Sequence, residues 1–184
     1  MNPVLAFARA FDFVAQKHAD QRRKGARAEP YVNHLAEVAS LLAEATEGRD
    51  PTLVIAGLLH DAIEDTDATR EEIEALFGAE VAGVVAEVTD DKRLPKAERK
   101  RKQVEHVPYI STRARLLKLA DKTSNLRAMV TSPPFDWDLA RKAEYFAWAK
   151  EVIDAGCRGL NTRLESWFDE AYEAGMARLE QDRR

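Results

Sequence analysis

The chain consists mainly of long segments in which apolar residues recur with helical spacing, and glycine and proline separate these segments. No run of β-branched residues alternates over four or more positions between turn signals, so no strand is predicted. The pattern therefore predicts an all-α fold, a compact helical bundle. The expected helices cover residues 3–20, 31–47, 51–66, 67–78, 79–91, a segment that ends before Pro108, 112–130, 137–156 and 160–182.

The length and the cysteine content limit the class of protein. A chain of 184 residues suits one core, and we expect a single domain over residues 1–184. Cys157 is the one cysteine, so an internal disulfide is impossible and a reducing cytoplasm is the expected location. Arg9 and Asp12 interrupt the apolar run of the N-terminal segment, which predicts an amphipathic helix and not a signal peptide. No stretch approaches the roughly 18 apolar residues that span a membrane, so no membrane partner is expected.

The charge balance argues against a nucleic-acid partner. The formal net charge is −4, so the overall field repels phosphate backbones. The basic stretch "KRLPKAERKRK" raises the hypothesis of a nucleic-acid-binding module, but no aromatic residues are interleaved with its charges. An anionic ligand would therefore be held by local basic clusters.

The stretch "LLHDAIEDT", residues 58–66, combines an apolar side with His60, Asp61, Glu64 and Asp65. On a straight helix these four groups fill one arc of about 140°. A solvated surface face is one interpretation. However, this face has no basic residue three or four positions away that would relieve the repulsion among its carboxylates. A divalent cation would relieve it, and an imidazole beside a carboxylate suits such an ion.

Two further residues complete a possible ligand set. His34 lies in "PYVNHLAEV", where a lone histidine is more often a surface or capping residue. Asp121 follows the apolar run of "LLKLAD", and carboxylates in such positions are seldom buried without a partner. Together with His60 and Asp61 they predict one metal site. Nitrogen and oxygen ligands of this kind are consistent with Mn, Fe, Co or Zn.

Several stretches resemble the HD-domain phosphohydrolases, and in particular the small alarmone hydrolases related to the hydrolase domain of RelA/SpoT proteins. These are "RRKGARAEPYVNH", "GLLHDAIEDT", "FGAEVAGVVAEVTDDKRLPKAERKRKQ", "KLADKTSNLR" and "EYFAWA", and the resemblance extends over residues 4–165. It implies a Mn²⁺-dependent (p)ppGpp 3′-pyrophosphohydrolase that converts ppGpp to GDP and pyrophosphate. The resemblance places the metal ligands at His34, His60, Asp61 and Asp121, the catalytic acidic pair at Glu64 and Asp65, and the substrate contacts at Lys24, Lys96, Asn125 and Tyr145.

The chain departs from the family pattern at a few positions. Leu35 stands where the family usually has proline after the first histidine. Thr123 and Ser124 stand where relatives have larger apolar or aromatic residues in "DKLYN". We expect these two residues beside the pocket, which leaves the base and ribose preference open. Removal of the 2′-phosphate from NADPH is therefore an alternative activity.

A second class of function, a non-catalytic nucleotide-sensing domain with a degenerate site, is less consistent with the sequence. All six positions of the metal site and the acidic pair are filled by the expected residue types. Which of Glu64 and Asp65 acts as the base does not follow from the sequence, and neither does the oligomeric state.

Overall fold

The computed structural model describes residues 2–183 and confirms the all-α prediction. Over these residues it contains ten α-helices and one short 3₁₀ helix, with isolated β-bridges but no strand. Between Asn2 and Arg183, no helix has the length and apolar character needed to cross a membrane. The helices are α1 (Pro3–Lys17), α2 (Val32–Ala45), α3 (Pro51–Leu59), α4 (Ala62–Asp65), α5 (Arg70–Phe77), α6 (Ala79–Val88), α7 (Lys96–His106), the 3₁₀ helix (Val107–Tyr109), α8 (Thr112–Thr131), α9 (Leu139–Gly156) and α10 (Thr162–Asp182).

Helix α8 lies at the centre of the bundle and packs against α2, α3, α6, α9 and α10. Its apolar residues Leu117, Leu119 and Leu126 are fully buried. Because neighbours surround it, α8 also buries polar side chains, which is unusual for charged groups unless they are paired. The buried polar residues of α8 are Lys118, Asp121, Lys122, Thr123 and Ser124. This concentration of buried polar groups at the centre of the bundle is where a candidate functional site is sought.

Several helix ends follow directly from the sequence. Asp50 begins α3 by accepting a hydrogen bond from the amide of Leu53, and Pro51 occupies the first turn. Thr69 begins α5, since its side-chain hydroxyl accepts a hydrogen bond from the amide of Glu72. Gly78 ends α5 with a positive φ of 92°, a conformation that glycine adopts at little cost.

The predicted continuous helix from Pro51 through "LLHDAIEDT" is wrong at one point, because the chain breaks between α3 and α4. Residues His60 and Asp61 lie outside both helices. The Nδ1 atom of His60 donates a hydrogen bond of 2.8 Å to the carbonyl oxygen of Gly57, which a continuing helix would pair with the amide of Asp61. His60 and Asp61 keep φ and ψ angles in the right-handed helical region, so the interruption is one of hydrogen bonding, and the four groups still line one cavity.

Gly175 of α10 lies against the buried ring of Phe146 on α9, and a Cβ atom at this position would overlap ring atoms Cε1 and Cζ. We expect Gly175→Ala to lower the free energy of unfolding by about 1–3 kcal/mol, because the packed ring must move. Urea denaturation measures this change. Gly83→Ala on α6 is the matched control, since no atom within 4 Å meets the added carbon. This control should stabilise the protein by about 0.5–1 kcal/mol, and equal effects of the two variants would contradict the packing argument.

Candidate metal centre and adjoining cleft

The four predicted metal ligands lie together where α2, the break after α3 and the middle of α8 meet. The Nε2 atom of His34 lies 3.3 Å from Asp121 Oδ1 and 3.8 Å from Asp61 Oδ2. The Nε2 atom of His60 lies 3.0 Å from Asp61 Oδ2 and 3.7 Å from Asp121 Oδ1. His34, His60 and Asp121 each offer a ligand atom within 4.8 Å of the others. The structure thus brings two imidazoles and two carboxylates to one point.

Both imidazoles are held with their Nε2 atoms toward this point. The hydrogen bond from His60 to Gly57 ends on a carbonyl oxygen, which only accepts, so Nδ1 of His60 carries a proton. In the neutral ring Nε2 then has a free lone pair, and it faces carboxylate oxygens of Asp61 at 3.0 Å and of Asp121 at 3.7 Å. The carboxylates repel this lone pair, and a proton or a metal ion on Nε2 would relieve the repulsion. The residues therefore fit a divalent cation.

The charges of this cluster influence one another strongly. Burial opposes protonation of His60, but the carboxylates of Asp61 and Asp121 outweigh it and raise the pKa of His60 to about 10. Burial likewise opposes ionisation of Asp121, yet Lys122 and the two histidines hold its pKa well below the usual value. Burial lowers the pKa of His34, which favours its neutral ring. The cluster therefore keeps both carboxylates ionised and available to a cation.

Side chains around the ligands fix their positions. The hydroxyl of Tyr31 donates a hydrogen bond of 2.6 Å to Asp61 Oδ2. Asp121 accepts hydrogen bonds from the ammonium group of Lys122 at 3.0 Å and from the side-chain amide of Asn125 at 2.6 Å. Asn125, predicted as a substrate contact, thus also holds a metal ligand. Tyr31 and Lys122 were not predicted.

The acidic pair lines a cavity of about 160 Å³ together with three of the proposed ligands, His60, Asp61 and Asp121. Glu64 accepts a hydrogen bond of 3.1 Å from the amide of Asp90, and Arg99 lies 3.5 Å away. Burial raises the pKa of Glu64. Asp65 is instead paired with Lys92 and accepts from Gln21 at 3.3 Å. The two carboxylates therefore have distinct surroundings, because Asp65 pairs with Lys92 whereas Glu64 accepts from a main-chain amide.

A cleft of about 360 Å³ adjoins this cavity and is lined by all four predicted substrate contacts, which are Lys24, Lys96, Asn125 and Tyr145. Three residues line both the cleft and the smaller cavity, namely Tyr31, Asp65 and Asn125. Tyr145 is half-buried and packs edge-on against Trp137, with the two ring centroids 5.6 Å apart. Burial raises its pKa to about 12, so its hydroxyl is neutral and can donate a hydrogen bond.

Thr123 and Ser124 do not lie beside the cleft, contrary to the expectation from the sequence. Both side chains are fully buried. The hydroxyl of Thr123 donates to the carbonyl of Leu119 in its own helix at 2.8 Å, and Ser124 contacts the ring of His34. The physical reason is that one side of α8 lines the cleft, through Asn125 and Met129, whereas Thr123 and Ser124 lie on sides that are packed against neighbouring helices.

A helical bundle that holds two histidines and two aspartates at one buried point, with histidine and aspartate adjacent in sequence, defines an enzyme of the HD class. The comparisons agree, because the family described as HD domain matches residues 10–145. The chain belongs to this HD domain family, whose fold is helical and whose members are metal-dependent hydrolases.

Relatives with similar sequences cover almost the whole chain. The Drosophila melanogaster protein named guanosine-3′,5′-bis(diphosphate) 3′-pyrophosphohydrolase MESH1 is 46% identical over 92% of this chain and 94% of its own length. The Homo sapiens protein of the same name is 49% identical over 85% of this chain and 87% of its own length. A solved structure described as a metazoan ortholog of SpoT that hydrolyses ppGpp superposes with a TM-score of 0.87 at 46% identity, over 91% of this chain and 94% of that one.

Proposed function

We propose that the chain is a metal-dependent guanosine-3′,5′-bis(diphosphate) 3′-pyrophosphohydrolase, which hydrolyses the 3′ ester bond of ppGpp to give GDP and pyrophosphate. The observation that carries the proposal is the convergence of two imidazoles and two carboxylates at one point, next to an acidic pair and a cationic cleft. The similarity to proteins named for this activity, over most of their length, supports the same substrate.

The metal would be held by His34, His60, Asp61 and Asp121, and we propose Mn²⁺ as the ion. Two imidazoles and two carboxylates suit a borderline divalent metal, and the resemblance to the alarmone hydrolases favours manganese among them. A bound ion at this position supplies positive charge that stabilises phosphoryl oxygens and makes water easier to deprotonate.

We propose Glu64 as the general base that accepts a proton from the attacking water. Its raised pKa makes it a stronger base than an ordinary glutamate, and its carboxylate lines the metal cavity. Asp65 is paired with Lys92 and lines both the cavity and the cleft. It is therefore placed to orient the water or the 3′-diphosphate with its lysine partner.

The cleft would receive the nucleotide and the phosphates that are not cleaved. Burial lowers the pKa of Lys96, and the neighbouring charges of Arg141 and Lys24 lower it further. This mutual repulsion of cations would be relieved by an anionic phosphate, which is the reason to assign phosphate contacts to Lys24 and Lys96. Tyr145 and Asn125 would contact the nucleoside between these cations and the metal.

We expect Lys24→Ala to raise KM about 10-fold and to lower kcat less, because a phosphate contact of this kind is made in both the ground state and the transition state. Steady-state kinetics with ppGpp measure both constants. Arg27→Ala is the matched control, since Arg27 belongs to the same basic turn but its side chain is 67% exposed and does not line the cleft. A similar rise in KM for both variants would indicate a general charge effect.

The direct test uses metal-stripped protein incubated with ppGpp, with and without Mn²⁺, followed by chromatography of GDP and pyrophosphate. Mn²⁺-dependent release of both products is the expected result. Protein that binds one Mn²⁺ but releases neither product would contradict the proposed substrate. NADPH is then the next compound, although the reason to consider it has weakened because Thr123 and Ser124 do not touch the cleft.

The remaining proposals concern the setting of the enzyme. We propose a cytoplasmic location, since Cys157 is a free, buried thiol. A nucleic-acid partner is not proposed because the net charge is −4. The single domain over residues 1–184 stays a prediction.

A further inference from the structure

The metal ligand His34 is connected to two side chains that the proposed reaction does not use. Its Nδ1 atom lies 2.8 Å from the hydroxyl oxygen of Ser124, and this hydroxyl donates a hydrogen bond of 2.7 Å to Glu37 Oε2. The other carboxylate oxygen of Glu37 lies 3.4 Å from a guanidinium nitrogen of Arg127. His34, Ser124, Glu37 and Arg127 thus form one chain of contacts from the metal centre outward.

The direction of the hydrogen bonds follows from the number of protons. Ser124 has one hydroxyl proton, and the Glu37 carboxylate paired with Arg127 can only accept it. The oxygen of Ser124 must then accept from His34, so Nδ1 of His34 carries the ring proton. The Nε2 atom faces Asp121 at 3.3 Å and Asp61 at 3.8 Å, so it is the atom that this ring presents to a metal.

We propose that Ser124 and Glu37 are positioning residues for His34, which fix the tautomer and the orientation in which this histidine binds the metal. The inference rests on the metal site of the proposed function but not on its substrate. A carboxylate connected to a ligating imidazole fixes the ring and makes it a better donor to the metal. Here a serine hydroxyl bridges the two groups.

The two histidines are held by different means. His60 donates to the main-chain carbonyl of Gly57, an acceptor that is present whatever side chain stands at that position. His34 depends on two side chains, and without Ser124 its buried Nδ1–H would lose its acceptor. A ring without that acceptor can move its proton to Nε2, and this would block the lone pair that the metal needs. The proposal therefore predicts that the affinity for the metal depends on Ser124.

The test is a calorimetric titration of metal-free Ser124→Ala with Mn²⁺ in the absence of substrate. We expect the dissociation constant to rise about 10- to 100-fold, the usual effect of removing a partner of a metal-binding histidine. The matched control is Thr123→Val, which also removes a fully buried hydroxyl from α8, but one that bonds only to the carbonyl of Leu119. Its dissociation constant should stay within about twofold of the original protein.

A purely structural role is separated from positioning by two further measurements. Thermal unfolding of the metal-free variants reports stability alone, and histidine ¹⁵N NMR reports the tautomer of His34 directly. We expect Nδ1–H in the original protein and a fraction of Nε2–H in Ser124→Ala. Loss of stability with an unchanged Mn²⁺ dissociation constant and an unchanged tautomer would overturn the proposal.

Glu37→Gln provides a second variant if Ser124→Ala does not fold. The side chain of Glu37 is 37% exposed, and the amide keeps an acceptor for Ser124 while removing the charge. We expect a smaller rise in the same dissociation constant, about threefold to tenfold. Affinity equal to that of the original protein would overturn the proposal. Because no ppGpp is present in these titrations, their outcome is independent of whether ppGpp is the substrate.

Discussion

Replacement of His60 by alanine is expected to abolish metal binding and, with it, hydrolysis. His60 supplies a buried Nε2 atom that lies within 3.7 Å of carboxylate oxygens of both Asp61 and Asp121. Without the imidazole, three ligands remain, and the two carboxylates lose the partner that relieves their repulsion. The affinity for the metal should fall by more than about 100-fold, because removing a residue that only supports a ligand already lowers it by up to about that factor. Asp61→Ala should behave in the same way.

Two measurements check this expectation, namely metal content after dialysis against Mn²⁺ and turnover of ppGpp. The control is His106→Ala, which removes an exposed histidine at the end of α7. That variant should keep both the metal and the activity. Stoichiometric metal in His60→Ala would show that the ion binds elsewhere, whereas metal loss with full activity would show that the reaction does not need it.

The second large effect is expected for Glu64→Gln, which should keep the metal but lose a factor of about 10² to 10⁴ in kcat. Glutamine has nearly the same shape, and its carbonyl oxygen can still accept the 3.1 Å hydrogen bond from the amide of Asp90. It cannot accept a proton from water. The same reasoning gives a smaller effect for Asp65→Asn, because Asp65 is held by Lys92 and is assigned to orientation.

Rapid-mixing kinetics at saturating ppGpp, with metal content measured on the same samples, distinguish the two roles. Glu71→Gln on the exposed first turn of α5 is the control for loss of one negative charge. Full activity of Glu64→Gln with bound metal would refute its role as base and leave the metal site intact. A larger loss for Asp65→Asn than for Glu64→Gln would exchange the two assignments.

The helical bundle was predictable because it depends on local patterns, since apolar residues recur with helical spacing in every long segment. The adjacent His60 and Asp61, together with the family resemblance, indicate a candidate metal site. Asp121 was predicted because a carboxylate directly after an apolar run needs a partner. Each residue was indicated by its neighbours in sequence, the set of four was assembled through the family resemblance, and the structure brings the four residues together.

The remaining features depend on contacts between helices, which one-dimensional patterns do not contain. Tyr31 lies three residues before His34 and so shares its side of α2, but nothing in the sequence shows that its hydroxyl reaches Asp61. The polar run from Asp121 to Asn125 reads as a solvated or cleft-facing segment, whereas α8 is enclosed by its neighbours. The break at His60 is equally hidden, because it depends on a ring nitrogen that bonds to a main-chain carbonyl.

The enclosure of α8 also has a consequence for motion. Asp121, Lys122, Ser124 and Asn125 share about one turn of this helix, so a local opening there would disconnect the metal ligand, its holders and the support of His34 in a single event. Exchange of amide hydrogens in this turn would then require the same opening that releases the ion. Metal binding should raise the free energy of this local opening by the free energy of binding. The exchange rates of the α8 amides would then report the affinity of the site for the metal.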